Sequence, residues 1–134
     1  VRGEQMVKKI SIEYTEGEGL ERIDFSGDVT LKKLNFSEKN ALEEESTDIK
    51  FFGNTPQVKV STSKMKELGL LKSIVECTLV KTTYVQDKVT KNIVPVTNDY
   101  NLDITGIRNL PTDIGEELVY EFTEMNNVSP KKKD

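Results

Sequence analysis

Apolar and polar residues alternate along most of this chain with the period of two that marks strands, and helical spacing is scarce. Ile10, Ile12 and Tyr14 alternate, Thr15 to Gly19 reads as a turn, and Ile23 and Phe25 alternate into a second turn at Ser26-Gly27-Asp28. This predicts an N-terminal hairpin. Val29 and Leu31 share one parity while Leu34 and Phe36 share the other, so a single strand holding all four inward needs a bulge. The polar stretch Ser37 to Thr47 reads as a loop or a short exposed helix. Ile49 and Phe51 then alternate with Lys50 and Phe52, Gly53-Asn54-Thr55-Pro56 predicts a turn, and Val58 and Val60 return as the second arm of another hairpin.

Ser61, Thr62 and Ser63 offer N-caps for a short helix over Lys64 to Leu68, with Gly69 placed to end it. Ser73 to Val85 is rich in β-branched residues, Gln86-Asp87-Lys88 turns, and Val89 to Val96 runs back with Pro95 at an edge or bulge. Tyr100, Leu102 and Ile104 alternate into Gly106. Residues 113 to 125 fit two readings: Leu118, Tyr120 and Phe122 alternate as in a strand, while Glu116, Glu117 and Glu121 suit an exposed helix.

From Val29 onward the order is three strands, a short helix and two strands. That order predicts a mainly β fold: an OB-like small antiparallel barrel, one short helix between its third and fourth strands, and the N-terminal hairpin as an addition. A β-sandwich or another small barrel fits the same pattern. At 134 residues the chain suits one core. Residues 1–6 read as a flexible arm or as sequence foreign to the native chain, 7–125 as one domain, and 126–134 as a disordered tail. The opening residues lack a signal-peptide core, and the longest apolar stretch, Leu68 to Val85, is broken by Lys72, Glu76 and Lys81; a cytoplasmic protein without membrane contact is expected.

Composition narrows the chemistry. The chain has no histidine, no tryptophan and one cysteine, so His-dependent triads, Cys/His zinc sites, CxxC redox chemistry and an internal disulfide are excluded. Ser63-Lys64-Met65-Lys66 matches the S-x-x-K pattern of serine acylases but lacks their accompanying motifs, and capping accounts for Ser63. Gly17-Glu18-Gly19 lacks the third glycine and following helix of a dinucleotide site. Glu43, Glu44, Glu45 and Asp48 have the oxygens a hard cation takes, but consecutive residues rarely converge on one ion. Cys77 lies between Val75 and Leu79, where a buried, inert thiol is expected. No enzyme activity, metal or cofactor is expected.

Charge is uneven. The formal net charge is -4, but residues 1–48 carry -5, residues 49–112 carry +4 and residues 113–134 carry -3. A basic middle with interleaved rings has both ingredients of single-strand recognition: cations along the phosphates and aromatic faces for unpaired bases. If Ile49 and Phe51 face the core, Lys50 and Phe52 point outward together, with Lys59 beside them on the next strand. Tyr84, Lys88 and Lys91 flank the turn where such barrels extend a finger. Lys50, Lys59, Lys81, Lys88, Lys91 and Arg108 are therefore the expected phosphate contacts, with Phe52 and Tyr84 as stacking platforms. Phe25, Phe51 and Tyr100 are expected in the core.

The segment from Val58 to Leu70, then Val75-Glu-Cys-Thr-Leu-Val80, then Tyr100-Asn-Leu-Asp-Ile-Thr-Gly-Ile107 resembles the small OB-fold single-stranded-DNA-binding proteins of Gram-positive phages and conjugative plasmids. The resemblance covers about half the chain. It implies coating of transient single strands during DNA replication or conjugative transfer, often with self-association. The chain departs from better-known bacterial members by lacking tryptophan platforms and an acidic tip, ending instead in Lys131-Lys132-Lys133-Asp134. The expected function is non-catalytic binding of single-stranded DNA with low sequence preference, RNA and duplex DNA remaining open, with a possible homo-oligomer. The alternative is a protein-interaction or structural accessory module of a phage or mobile element that binds no nucleic acid.

Overall fold

The computed structural model describes residues 6–126, apart from the side chains of Lys50 and Phe52. The expected arm at residues 1–5 and tail at residues 127–134 lie outside that range. Two strands, β1 (Val7–Glu16) and β2 (Ile23–Lys32), form the expected N-terminal hairpin, registered from Val7 opposite Lys32 to Glu16 opposite Ile23. A single 3-10 turn, Gly19–Glu21, joins them. The even positions Ile10 and Ile12 point to the core together with Phe25, Val29 and Leu31 of β2, as the alternation requires.

On its other side β2 pairs with β5 (Ile74–Cys77) and β6 (Val80–Gln86), and β6 pairs with β7 (Ile93–Asp99). The result is a five-stranded antiparallel sheet in the order β1-β2-β6-β7, with β5 attached to β2. Gly27 makes the passage from one partner to the other possible. It is not in a turn, as the sequence suggested, but in the middle of β2 at φ +133°, where a Cβ would stand 2.4 Å from the Thr78 carbonyl oxygen. The Thr78 amide donates to the Asp28 carbonyl at 2.8 Å, so the Thr78-Leu79 jog stays hydrogen-bonded to the sheet.

Beside the helix expected between the third and fourth barrel strands, α2 (Thr62–Ser73), there are three more: α1 (Phe36–Glu45) and α4 (Thr112–Asn126), where a helix was one of two readings, and α3 (Ile104–Arg108), where a strand was expected. Strand accounts for 40% and helix for 38%, so the fold is only narrowly β-dominated. Asn35 caps α1 in a capping box with Glu38, and Ser61, not Ser63, caps α2. Gly69 does not end α2. It lies within the helix, where an added Cβ would come 2.7 Å from the Phe122 ring, and this lets α4 pack close. The expected closing strand at Tyr100 to Gly106 is instead a loop leading into α3, with Asp103 accepting from the Gly106 amide as its cap. In α4, Ile114, Leu118 and Phe122 are buried at helical spacing, which resolves that segment in favour of the helix. Asn126 is no tail residue: it is fully buried, accepts from the Leu34 amide at 2.7 Å and donates to the Phe122 carbonyl at 2.9 Å.

The core lies between one face of the sheet and α2, α3 and α4, with Leu70, Leu79, Leu102 and Ile107 filling it alongside the residues above. Phe25 and Tyr100 meet edge to face at 5.2 Å, as their expected core role implies. The sheet does not close into a barrel among the described residues. Among the described residues β1, β5 and β7 each pair with one strand only and so leave an edge open. The strands expected as barrel staves, β3 (Thr47–Phe52) and β4 (Thr55–Val60), form a separate two-stranded sheet between α1 and α2.

Candidate interaction surfaces

The β3–β4 ribbon turns at Gly53, whose φ of +66° is the left-handed conformation glycine supplies without strain. Its register pairs Thr47 with Val60, Ile49 with Val58 and Phe51 with Pro56, and cross-strand partners share a face. That face has no charged residue. The alternate positions, Asp48 with Lys59, Lys50 with Gln57 and Phe52 with Thr55, carry the charges. The sequence correctly separated these two sets but placed Ile49 and Phe51 indoors, whereas both are exposed. Ile49 is 61% exposed, Phe51 66%, Val58 65% and Val60 52%. Phe51 is therefore not a core residue, because the ribbon stands off the main sheet and nothing in the described chain covers this face. At the base, the Ser61 amide donates to the Ser46 carbonyl at 2.7 Å, the Thr47 hydroxyl donates to the Glu43 carbonyl at 2.6 Å, and Lys64 pairs with Asp48 at 2.8 Å.

The expected nucleic-acid contacts fall on separate elements. Lys59 is exposed on β4, while the side chains of Lys50 and Phe52 lie outside the described atoms. Lys81 is half-buried on the helix side of β6, with its ammonium 5.8 Å from the centre of the Phe25 ring. Tyr84, three residues on, projects from the opposite face. Its hydroxyl donates to Asp24, and the Arg22 guanidinium sits 5.4 Å from its ring centre, so a cation already occupies one side of the ring. Arg108 ends α3 paired with Glu67 at 2.9 Å. Lys88 and Lys91 are exposed in the β6–β7 turn. There the Asp87 carboxylate accepts from the Val89 and Thr90 amides, which hold its pKa below the usual aspartate value.

The Arg22-Asp24-Tyr84 group was not anticipated from sequence. Asp24 accepts hydrogen bonds from Tyr84, Thr15 and Arg22, which in that order lower its pKa, while the bond to Asp24 raises that of Tyr84. Three donors hold the carboxylate, and the network ties β1 and β6 to β2 on the open face of the sheet. No sequence period could reveal it, since Asp24 and Tyr84 are 60 positions apart. A groove of about 460 Å³ is lined by Lys66 and Glu67 of α2, Ile107 of α3, and Gly115, Val119 and Tyr120 of α4, beside the close contact of α2 and α4 at Gly69.

Among the described residues no group of acidic or sulfur side chains is placed to hold a metal ion, and Glu45 pairs with Lys72 at 3.2 Å. Cys77 is half-buried, less enclosed than expected, and its thiol points to the Tyr100 carbonyl at 3.6 Å. No helix among the described residues is long and apolar enough to cross a membrane. No known protein family, curated protein sequence or solved structure matches the chain.

Proposed function

We propose that this protein is a non-catalytic interaction module that holds another protein chain with its β3–β4 ribbon. The observation that carries this reading is the division of the ribbon into a charged face and an uncharged apolar face whose four large side chains are all more than half exposed. A two-stranded ribbon is marginal by itself in water. Burying a large apolar side chain returns about 1.5–3 kcal/mol, so this face gains most from a cover. The fitting cover is an apolar strand or ribbon of another protein; a polyanion requires cations, which this face lacks.

The test uses random 12-residue peptides (about 40 Å if extended) displayed and panned against the full chain immobilised too sparsely for copies to meet. Enrichment of alternating apolar sequences, lost in an Ile49→Lys, Val58→Lys double variant that keeps its far-UV spectrum, is expected. Absence of any ribbon-dependent binder overturns the reading.

A second reading, binding of single-stranded nucleic acid, is supported by the tip of β6–β7. Tyr84 to Gln86 pair with β7 alone, past the end of β2, and Lys88 and Lys91 flank Val89, which is 89% exposed. In this reading the five-stranded sheet serves as an OB-like platform and the finger follows the phosphates. Fluorescence anisotropy with labelled oligo-dT should then show affinity falling with a log-log salt slope near -0.7 per contact, and weakening in Lys88→Ala, Lys91→Ala. No binding at low salt refutes it.

A further inference from the structure

We infer that the partner covering the apolar face of the β3–β4 ribbon is a second copy of this chain, packed ribbon against ribbon about a two-fold axis. This rests on the ribbon reading above and names its partner. A two-fold contact sets the same patch against itself, so it succeeds only where self-apposition brings no like charges together. The face formed by Thr47, Ile49, Phe51, Pro56, Val58 and Val60 meets that condition. Asp48 and Lys59 belong to the other side of the ribbon, where Asp48 is tied to Lys64 at 2.8 Å. Thr47, the one hydroxyl on the face, already donates to the Glu43 carbonyl, so closing the contact strands no polar hydrogen.

The area is sufficient. At the observed exposures of 61, 66, 65 and 52%, Ile49, Phe51, Val58 and Val60 present on the order of 400 Å² of apolar surface, given about 150–250 Å² for an aromatic side chain and less for Ile and Val. That reaches a few hundred Å², the size at which exposed patches on single chains usually mark binding sites. Two such faces with Pro56 added approach the roughly 1,000–1,200 Å² at which specific interfaces begin. Such a contact is held by apolar burial between chains of net charge -4, so added salt should tighten it, the reverse of phosphate binding.

The experiment is sedimentation equilibrium of the full chain from about 1 to 200 µM, where small apolar interfaces dissociate measurably. A monomer–dimer equilibrium is expected, weakened at least about tenfold by Val58→Lys and unchanged by Gln57→Lys on the opposite face, a tenfold change being about 1.4 kcal/mol. Val58→Thr keeps strand propensity and trims only the apolar contact, so its weaker loss separates interface effects from misfolding. A monomer throughout the range overturns the inference, as does a dimer indifferent to both Val58 substitutions. A monomeric wild type that still selects ribbon-dependent peptides removes the second copy and leaves the interaction module standing; loss of both removes both.

Discussion

Two glycines on facing helices should respond in opposite directions to the same substitution. Gly69 lies within α2 and Gly115 within α4, and in a helix interior alanine is favoured over glycine by about 0.8–1.0 kcal/mol. At Gly115 a Cβ meets nothing within 4 Å, so Gly115→Ala should gain that amount in full. At Gly69 it would stand 2.7 and 2.8 Å from two carbons of the Phe122 ring, inside normal contact distance. Phe122 is 3% exposed and cannot swing into solvent, so the strain falls on the α2–α4 spacing. Overpacking of this kind costs roughly 1–3 kcal/mol, which exceeds the propensity gain. Gly69→Ala should therefore be destabilising by up to about 2 kcal/mol, and the two variants should differ by about 1–3 kcal/mol. Urea unfolding followed by far-UV circular dichroism, with equal slopes, measures both. Phe122→Leu should relieve the clash, so a double-mutant cycle with Gly69→Ala should show a favourable coupling. If Gly69→Ala stabilises as much as Gly115→Ala, the close approach of α2 and α4 is wrong.

Asn126→Ala removes the side-chain oxygen that accepts from the buried Leu34 amide and should cost about 1–3 kcal/mol in the same urea assay, while Lys39, which bonds the Asn126 backbone carbonyl, keeps its contact. Ser46→Ala should be neutral or stabilising by about 1 kcal/mol, since the Ser46 hydroxyl is buried without a hydrogen-bond partner among the described residues. Asp24 has its pKa lowered in the folded chain, so its contribution is fully present above the ordinary value of 3.8 and disappears as pH falls through the lower folded value. Asp24→Asn should accordingly flatten the acid limb of the urea midpoint plotted against pH; an unchanged limb would exclude the network as its source. Tyr14 donates to Glu16, and its pKa is pushed up to about 12. Absorbance at 295 nm should show its ionisation well above the ordinary tyrosine value of 10, and the stability it lends, complete below that ordinary value, should fade as pH rises through the folded one.

How far the site could be read in advance is clearest in the ribbon. The alternation Ile49-Lys50-Phe51-Phe52 shows that two faces differ, and the structure keeps that division. Alternation does not say which face meets the core, because period is a local property and burial depends on what packs alongside. The nucleic-acid residues scattered for the same reason. Lys81 and Tyr84 sit on one strand three positions apart, which places them on opposite faces whatever their neighbours, while Lys88 and Arg108 belong to unrelated elements. The groups that do converge, Arg22 and Asp24 with Tyr84, needed the β2–β6 register to bring them together.

Local chemistry determined much from the sequence by itself: the β1–β2 hairpin, a capped helix start within Ser61 to Ser63, the Gly53 turn, and the absence of histidine and paired cysteines. Those features need only a few adjacent residues, and adjacent residues fix their own turns and periodicities. Tertiary structure decided the rest. It made Gly27 a strand residue by bringing Thr78 against it, turned Gly69 into a packing notch by setting Phe122 across from it, and left Ile49 and Val58 in water by pairing β2 with β5 and β6 instead of β3. Each depends on contacts between distant parts of the chain, and that competition among long-range partners leaves no periodic trace in the residues that lose it.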